Sequence, residues 1–368
     1  MKGGRVMLEI DRRLKVGSSC FFMSISAIFE AYGKLYLAFG YTSFDYIYNS
    51  KSFLKFNNLK APEEYISKEN DLIISGEIDS VYSDDYAFYL YNSIPDDIKF
   101  EIEVICSGKM VDLKNIKDKY LDKREYIFIP YDHYYLYDDY RKVTNDLYKF
   151  HTKDHVVVLI DINFEENTAY IIDKFYSFAG NVPLDKLNEA MFSEYRTNYN
   201  FSRIKNLSSI VENTQGFEFY FHKNIELLNK NEVTINGTVY KKNINALESF
   251  ISDFETNVEK IMLLKGRYAP QFFSKLIARI IVQKLSYNNL INYYKNNLSC
   301  ENRDRILKIL KESYNLWATI DAYNDKTYLG GKVLKDNLSK YKKLLDKLYA
   351  IEAETFKLLN EEVKHLIV

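Results

Sequence analysis

Gly17-Ser18-Ser19-Cys20-Phe21-Phe22-Met23-Ser24-Ile25-Ser26-Ala27-Ile28-Phe29-Glu30-Ala31-Tyr32-Gly33 carries apolar residues at 21, 22, 25, 28, 29 and 32, the spacing of one buried helical face. Ser18 and Ser19 suit the N-cap and Gly33 suits the residue after the C-cap. This frame predicts a mostly apolar helix with Cys20 in its first turn. The unpaired N–H groups and the positive dipole end there favour a thiolate and can receive an oxyanion. The plainer reading is that Cys20 is packing, since free cysteine is among the most buried residue types.

A nucleophilic cysteine needs a base, and the base needs an orienting group. Downstream, His155 opens the best-defined strand, Asp154 to Asn163, rich in β-branched residues. Phe164 to Asn167 reads as the turn and Thr168 to Asp173 as the returning strand, an antiparallel hairpin that sets Asp173 beside His155. His151 and His133 are rival bases, and Asp161 or Asn163 rival orienters. The remaining front half alternates strand and helix: Lys99 to Cys106 and Glu125 to Pro130 as strands, Val111 to Arg124 and Leu184 to Tyr195 as helices. A short apolar run near 71 and a helix over 84–92 are also expected. From about 240 onward long helical periods cover 243–264, 271–297, 302–323 and 333–367, after a small hairpin around Asn236-Gly237. The expected organisation is α+β: a domain over 1–197 whose N-terminal nucleophile helix packs on an antiparallel sheet, then a mainly helical domain over 198–368.

The totals narrow the function. With 50 Lys+Arg against 51 Asp+Glu, the basic surplus of a dedicated nucleic-acid binder is missing. The three cysteines, 20, 106 and 300, form no Cys-x-x-Cys pair, so neither a zinc site nor a disulfide framework is expected. The first residues lack the apolar core of a signal peptide, and no run of 18 apolar residues occurs. A cytoplasmic protein with no membrane segment, no metal and no organic cofactor is the expectation. The 33 tyrosines and 24 phenylalanines fit the codon usage of an AT-rich bacterial genome.

Several motifs together resemble the butirosin-biosynthesis BtrH N-terminal family: Gly17 to Cys20 with its apolar helix and Tyr32-Gly33 stop, Leu37 to Gly40, His155 to Asp161, Tyr170 to Asp173, and Gly180 to Leu187. The resemblance spans roughly residues 15–195. It implies a papain-like fold, related to peptidases that trim double-glycine leaders, with Cys20 accepting an acyl group, His155 as base and Asp173 as its orienter. The 135 positions from Cys20 to His155 match the papain-like separation of about 130–150. The named family member moves an acyl group from a carrier-protein thioester to an amine. A similar role belongs to the cysteine-protease-like amide synthetase of closthioamide, a polythioamide antibiotic.

The expected function is therefore an acyltransferase or amide synthetase of specialised metabolism. Its donor is an acyl or peptidyl carrier protein, phosphopantetheine enters only as part of that donor, and its acceptor is a small amine. Papain-like peptidases usually place a glutamine just before the cysteine, whereas the only glutamines here are Gln215, Gln271 and Gln283. That departure weighs against a peptidase. It leaves Cys20 N–H with Ser18, Ser19 or Lys15 as oxyanion donors. Tyr131, Tyr134, Tyr135 and Tyr137 are candidates to line a dry acceptor pocket. Arg12, Arg13 and Lys15, with Lys2 and Arg5, form a basic group suited to an acidic carrier. The C-terminal helices are open to three readings: a lid, a carrier dock or a homodimer interface. A leader-trimming peptidase and a non-catalytic binding module are the competing functions.

Overall fold

The computed structural model describes residues 10–17, 19–42, 46–49, 99–108, 111–143, 149–152, 155–196, 199–235, 237–265, 269–329 and 337–366. The expected run near 71 and helix over 84–92 lie outside them, as do Ser18, Lys2 and Arg5. The protein is α+β, with antiparallel sheets of six and three strands. Its chain divides into two compact units, residues 1–38 with 94–215 and residues 39–93 with 216–368.

The first unit opens with α1 (Cys20–Ala31), followed by β2 (Ile102–Cys106), α2 (Leu113–Lys119), β3 (Ile127–Tyr131) and a single turn α3 (Tyr137–Tyr140). Next come β4 (His155–Asn163), β5 (Thr168–Asp173), β6 (Phe178–Pro183), α4 (Leu184–Met191), β7 (Phe201–Ile204) and α5 (Leu207–Asn213). The sheet order is β2-β7-β3-β4-β5-β6. The β4–β5 hairpin turns where expected: Asn163 Oδ1 accepts from the N–H groups of Glu165 and Glu166, both at 3.1 Å, and Asn167 takes a left-handed φ of 50°. One sheet face packs Ile127, Ile129, Val157, Leu159 and Ile171 against Leu187 and Met191 of α4. α1 lies against β4 and β5. Its second turn is tied down by Ser24 Oγ, which donates to the Val156 carbonyl at 3.2 Å.

β7 corrects the expected boundary at 197/198. It lies between β2 and β3 and pairs with both, so the first unit cannot close before residue 204. Helix α4 also ends earlier than residue 195, at Met191, and the expected helix over 111–124 stops at Lys119.

The second unit combines β1 (Ile47–Tyr48), α6 (Phe217–Leu228), β8 (Glu232–Ile235) and β9 (Thr238–Lys242) with four long helices. These are α7 (Asn243–Lys265), α8 (Ala269–Tyr293), α9 (Arg303–Leu329) and α10 (Leu338–Leu366). β8 and β9 form the expected hairpin; β1, from early in the chain, adds to β9 as a third strand. Strand β1 therefore belongs with the C-terminal unit. Trp317, the only tryptophan, sits in the helical core with Tyr46, Leu247 and Leu345. No helix among the described residues is long and apolar enough to cross a membrane.

Candidate active site

Cys20 is the first residue of α1, and Ser19 caps that helix, its Oγ accepting from Phe22 N–H at 3.3 Å. The N–H of Cys20 has no carbonyl partner within the helix, and the residue is partly exposed. Gly17 makes this approach possible. Its φ of +124° is open only to glycine, and a Cβ there would lie 2.6 Å from Met23 N and 2.7 Å from the Phe22 carbonyl carbon. Gly17→Ala is expected to destabilise the first unit by about 1–3 kcal/mol, read as a lower denaturant midpoint. An unchanged midpoint would mean that the chain entering α1 is not held in this conformation.

The helix start and the two strand ends bring three groups together. The Cys20 side chain lies near enough to His155 to act on its charge. His155 Nε2 lies 2.8 Å from Asp173 Oδ2, and both side chains are buried. A carboxylate only accepts, so Nε2 carries a proton and Nδ1 is the nitrogen available to sulfur. Burial alone would lower the pKa of His155; the Asp173 charge and hydrogen bond, with the Cys20 contact, outweigh it and raise it to about 10. Burial likewise pushes Asp173 up, but the His155 charge and three hydrogen-bond donors bring it below the usual carboxylate range.

Asp173 is held from several sides. Tyr131 hydroxyl is 2.7 Å and Tyr140 hydroxyl 3.1 Å from Oδ2, the two hydroxyls are 2.6 Å apart, and Tyr176 N–H donates to Oδ1 at 3.1 Å. Two hydroxyl protons serve three contacts, so the shorter pair selects Tyr140 donating to Tyr131 and Tyr131 to Asp173. Burial, with the nearby carboxylate, raises both phenols well above their ordinary range and keeps them donors. Phe175 and Tyr176 pack on His155, with ring centroids at 5.4 and 5.0 Å. Next to Asp173, the buried Lys174 pairs with Glu30 near the C-terminal end of α1 and donates to the Leu14 carbonyl at 3.1 Å. One turn of chain thus holds Asp173 and also fixes the helix that carries Cys20.

The structure sorts the remaining sequence candidates. Tyr131 does not line a pocket: it is fully buried and stands behind Asp173, because it is directly paired with His155 across β3 and β4. Tyr134, Tyr135 and Tyr137 are half-buried. Tyr134 and Tyr135 contact His151, and Tyr137 lies under Arg141 and Lys149. Among the rivals, His133 is buried with Nδ1 3.3 Å from Thr152 Oγ1, and His151 pairs with Asp132. Asp161 accepts from Lys117 at 3.0 Å and Asn163 holds its turn, so neither orients His155. Lys15 is half-buried with its ammonium over Phe175 at 5.9 Å; Arg12 is half-buried and Arg13 exposed. Tyr140, Tyr176 and the Glu30–Lys174 pair carry no role in the reading of the sequence. The signal for Tyr140 and Tyr176 would have been polar tips on rings one turn or one loop from a buried carboxylate.

Among the described residues no group of three or more His, Cys, Asp or Glu is arranged to hold a metal ion. No family model and no curated protein matches this chain.

Proposed function

We propose that the first unit is a papain-like, cysteine-dependent acyltransferase that makes an amide from a thioester. The observation that carries this reading is the line from partly exposed Cys20 to His155 to buried Asp173 at the start of α1. Cys20 thiolate attacks the carbonyl of an acyl thioester, and the tetrahedral oxyanion faces the Cys20 N–H at the start of α1. The thioester sulfur leaves with the His155 proton, giving an acyl-enzyme. An amine then attacks the acyl carbonyl, His155 takes back a proton, and Cys20 thiolate departs. A thioester is activated and demands less of an oxyanion hole than a peptide bond does. This suits a site without an upstream glutamine better than peptide cleavage does.

The donor in this reading is an acyl or peptidyl carrier protein, steered by Arg12, Arg13 and Lys15, and the reaction needs no metal or organic cofactor of its own. A reducing cytoplasm keeps Cys20 free. Production of a peptide or polythioamide antibiotic is the setting that the family resemblance implies.

Intact-protein mass after mixing with a panel of small acyl thioesters tests the proposal. Wild type is expected to gain the mass of one acyl group and Cys20→Ala none, and an added amine is expected to discharge the adduct as amide. Discharge by water alone, giving only acid, would favour a hydrolase. No adduct with any thioester, together with labelling of Cys20 by iodoacetamide no faster than a free cysteine, would leave a binding module.

A further inference from the structure

The first unit holds a second histidine–aspartate pair that the acylation chemistry does not use. His151 Nδ1 is 2.7 Å from Asp132 Oδ2. Asp132 has no exposed surface and is fixed by Ser193 Oγ at 2.9 Å, Thr152 N–H at 2.9 Å and Tyr134 N–H at 3.1 Å. Those contacts, with the His151 bond, lower its pKa against the upward push of burial. The imidazole itself is clamped between two rings nearly parallel to it, Tyr134 at 4.0 Å and Tyr195 at 3.8 Å between centroids.

This arrangement dictates what His151 presents. Both faces are covered and Nδ1 is engaged by an acceptor-only group, so neutral His151 carries its proton on Nδ1 and its lone pair on Nε2. The side chain keeps 29% of its surface, and with its faces covered that surface is the edge bearing Nε2. No described residue bonds to Nε2. A histidine that served only as a clasp has no need of a fixed tautomer with an open acceptor edge. The pair also adjoins the first one: Asp132 follows Tyr131, the residue that holds Asp173, and Tyr176 packs on both His155 and His133, the residue after Asp132.

We propose that His151 is a second proton acceptor, and that it deprotonates the protonated amine that receives the acyl group. The inference rests on the acyl-transfer reading above. An ammonium must lose two protons to become an amide. The first passes from ammonium nitrogen to His151 Nε2, freeing the lone pair. The amine then attacks the Cys20 thioester; the second proton goes to His155 as the carbon–sulfur bond breaks and Cys20 thiolate leaves. The products are amide, thiolate and two imidazolium groups, which balances protons and charge. The charged and titratable groups around His151 among the described residues are Asp132, Lys149 over the Tyr134 ring at 4.8 Å, Tyr134, Tyr135 and Tyr195.

The test preloads the full-length protein with a small acyl thioester, removes the excess, and follows discharge by an alkylamine from pH 6 to 10. His151→Gln is expected to acylate like wild type but to aminolyse about a hundredfold more slowly near neutral pH. The deficit is expected to shrink toward none as the pH approaches that at which the amine deprotonates itself, a recovery that loss of a clasp would not give. Equal aminolysis at every pH overturns the inference and leaves acyl transfer standing. Failure of wild type to form any acyl-enzyme defeats both. Should His151→Gln fail to fold, wild type alone decides with amines of different basicity: discharge proportional to the free-amine fraction overturns the inference, and discharge above it supports it.

Discussion

Asp173→Ala is expected to slow the proposed acyl transfer by about 10³–10⁴, the range for losing an oriented acid–base group. The change strips one buried carboxylate from three donors, His155 Nε2, Tyr131 and the Tyr176 N–H, and from beside the Tyr140 hydroxyl at 3.1 Å. His155 then has nothing to fix its tautomer, and burial, no longer opposed by a charge, favours its neutral form. Asp173→Asn separates the two contributions. Its carbonyl can still face His155 and the phenols, so their orientation survives, while the charge and the Oδ1 acceptor of the Tyr176 N–H go. Asparagine is expected to recover a large part of the rate at low pH, while the alkaline limb of the profile falls from about 10 toward neutrality. An alanine variant within tenfold of wild type would remove Asp173 from the mechanism.

The same pair makes stability depend on pH in a definite sense. His155 has its pKa raised on folding, so its contribution is complete below the ordinary histidine value and is lost as pH rises through about 10. Asp173 has its pKa lowered, so its contribution is present above the ordinary carboxylate value and lost as pH falls through the depressed one. Denaturant midpoints of wild type are expected to decline on both sides of neutrality, and the alkaline decline to vanish in Asp173→Ala.

In the second unit, Glu352→Ala is expected to cost about 3–5 kcal/mol. Glu352 of α10 is fully buried and accepts from Lys284 of α8 at 3.0 Å, from Ser313 of α9, and from Tyr46 ahead of β1. Truncation leaves the Lys284 ammonium, 2% exposed, without its counter-charge in an apolar core. The readout is built in: Trp317 Nε1 donates to the Tyr46 hydroxyl at 2.8 Å, so the single tryptophan reports on this unit by fluorescence. The paired change Lys284→Met with Glu352→Leu is expected to restore most of the loss, because neither charge is then left alone. A cost below about 1 kcal/mol for Glu352→Ala would mean that water reaches Lys284 and the network is not closed.

Local pattern was enough for much of the first unit. The capped apolar helix at Cys20 and the His155–Asp173 hairpin follow from spacing of three to four and of two, and side chains two strand ends apart were thereby placed together. The same is true of the four C-terminal helices, whose periods run for 20 residues or more. Tyr131 shows where that reasoning stops. Its sequence neighbourhood is a tyrosine-rich loop that suggests an accessible patch. Only the β3–β4 register buries Tyr131 against His155 and turns its hydroxyl to Asp173.

By itself, then, the sequence determined the capped helix α1, the β4–β5 hairpin and the four long helices, because helix caps, hairpin turns and alternating strands are set by neighbours a few residues apart, whereas Phe178 to Pro183, which reads as a loop, is strand β6. The tertiary structure alone decided the rest. It inserted β7 between β2 and β3, joined β1 to β9 in the C-terminal unit, pressed Gly17 onto α1, paired Glu30 with Lys174 across 144 positions, and closed Tyr134 and Tyr195 over His151. These contacts join residues far apart in the chain, and their partners are chosen by burial and charge balance in the folded core, which no local pattern encodes.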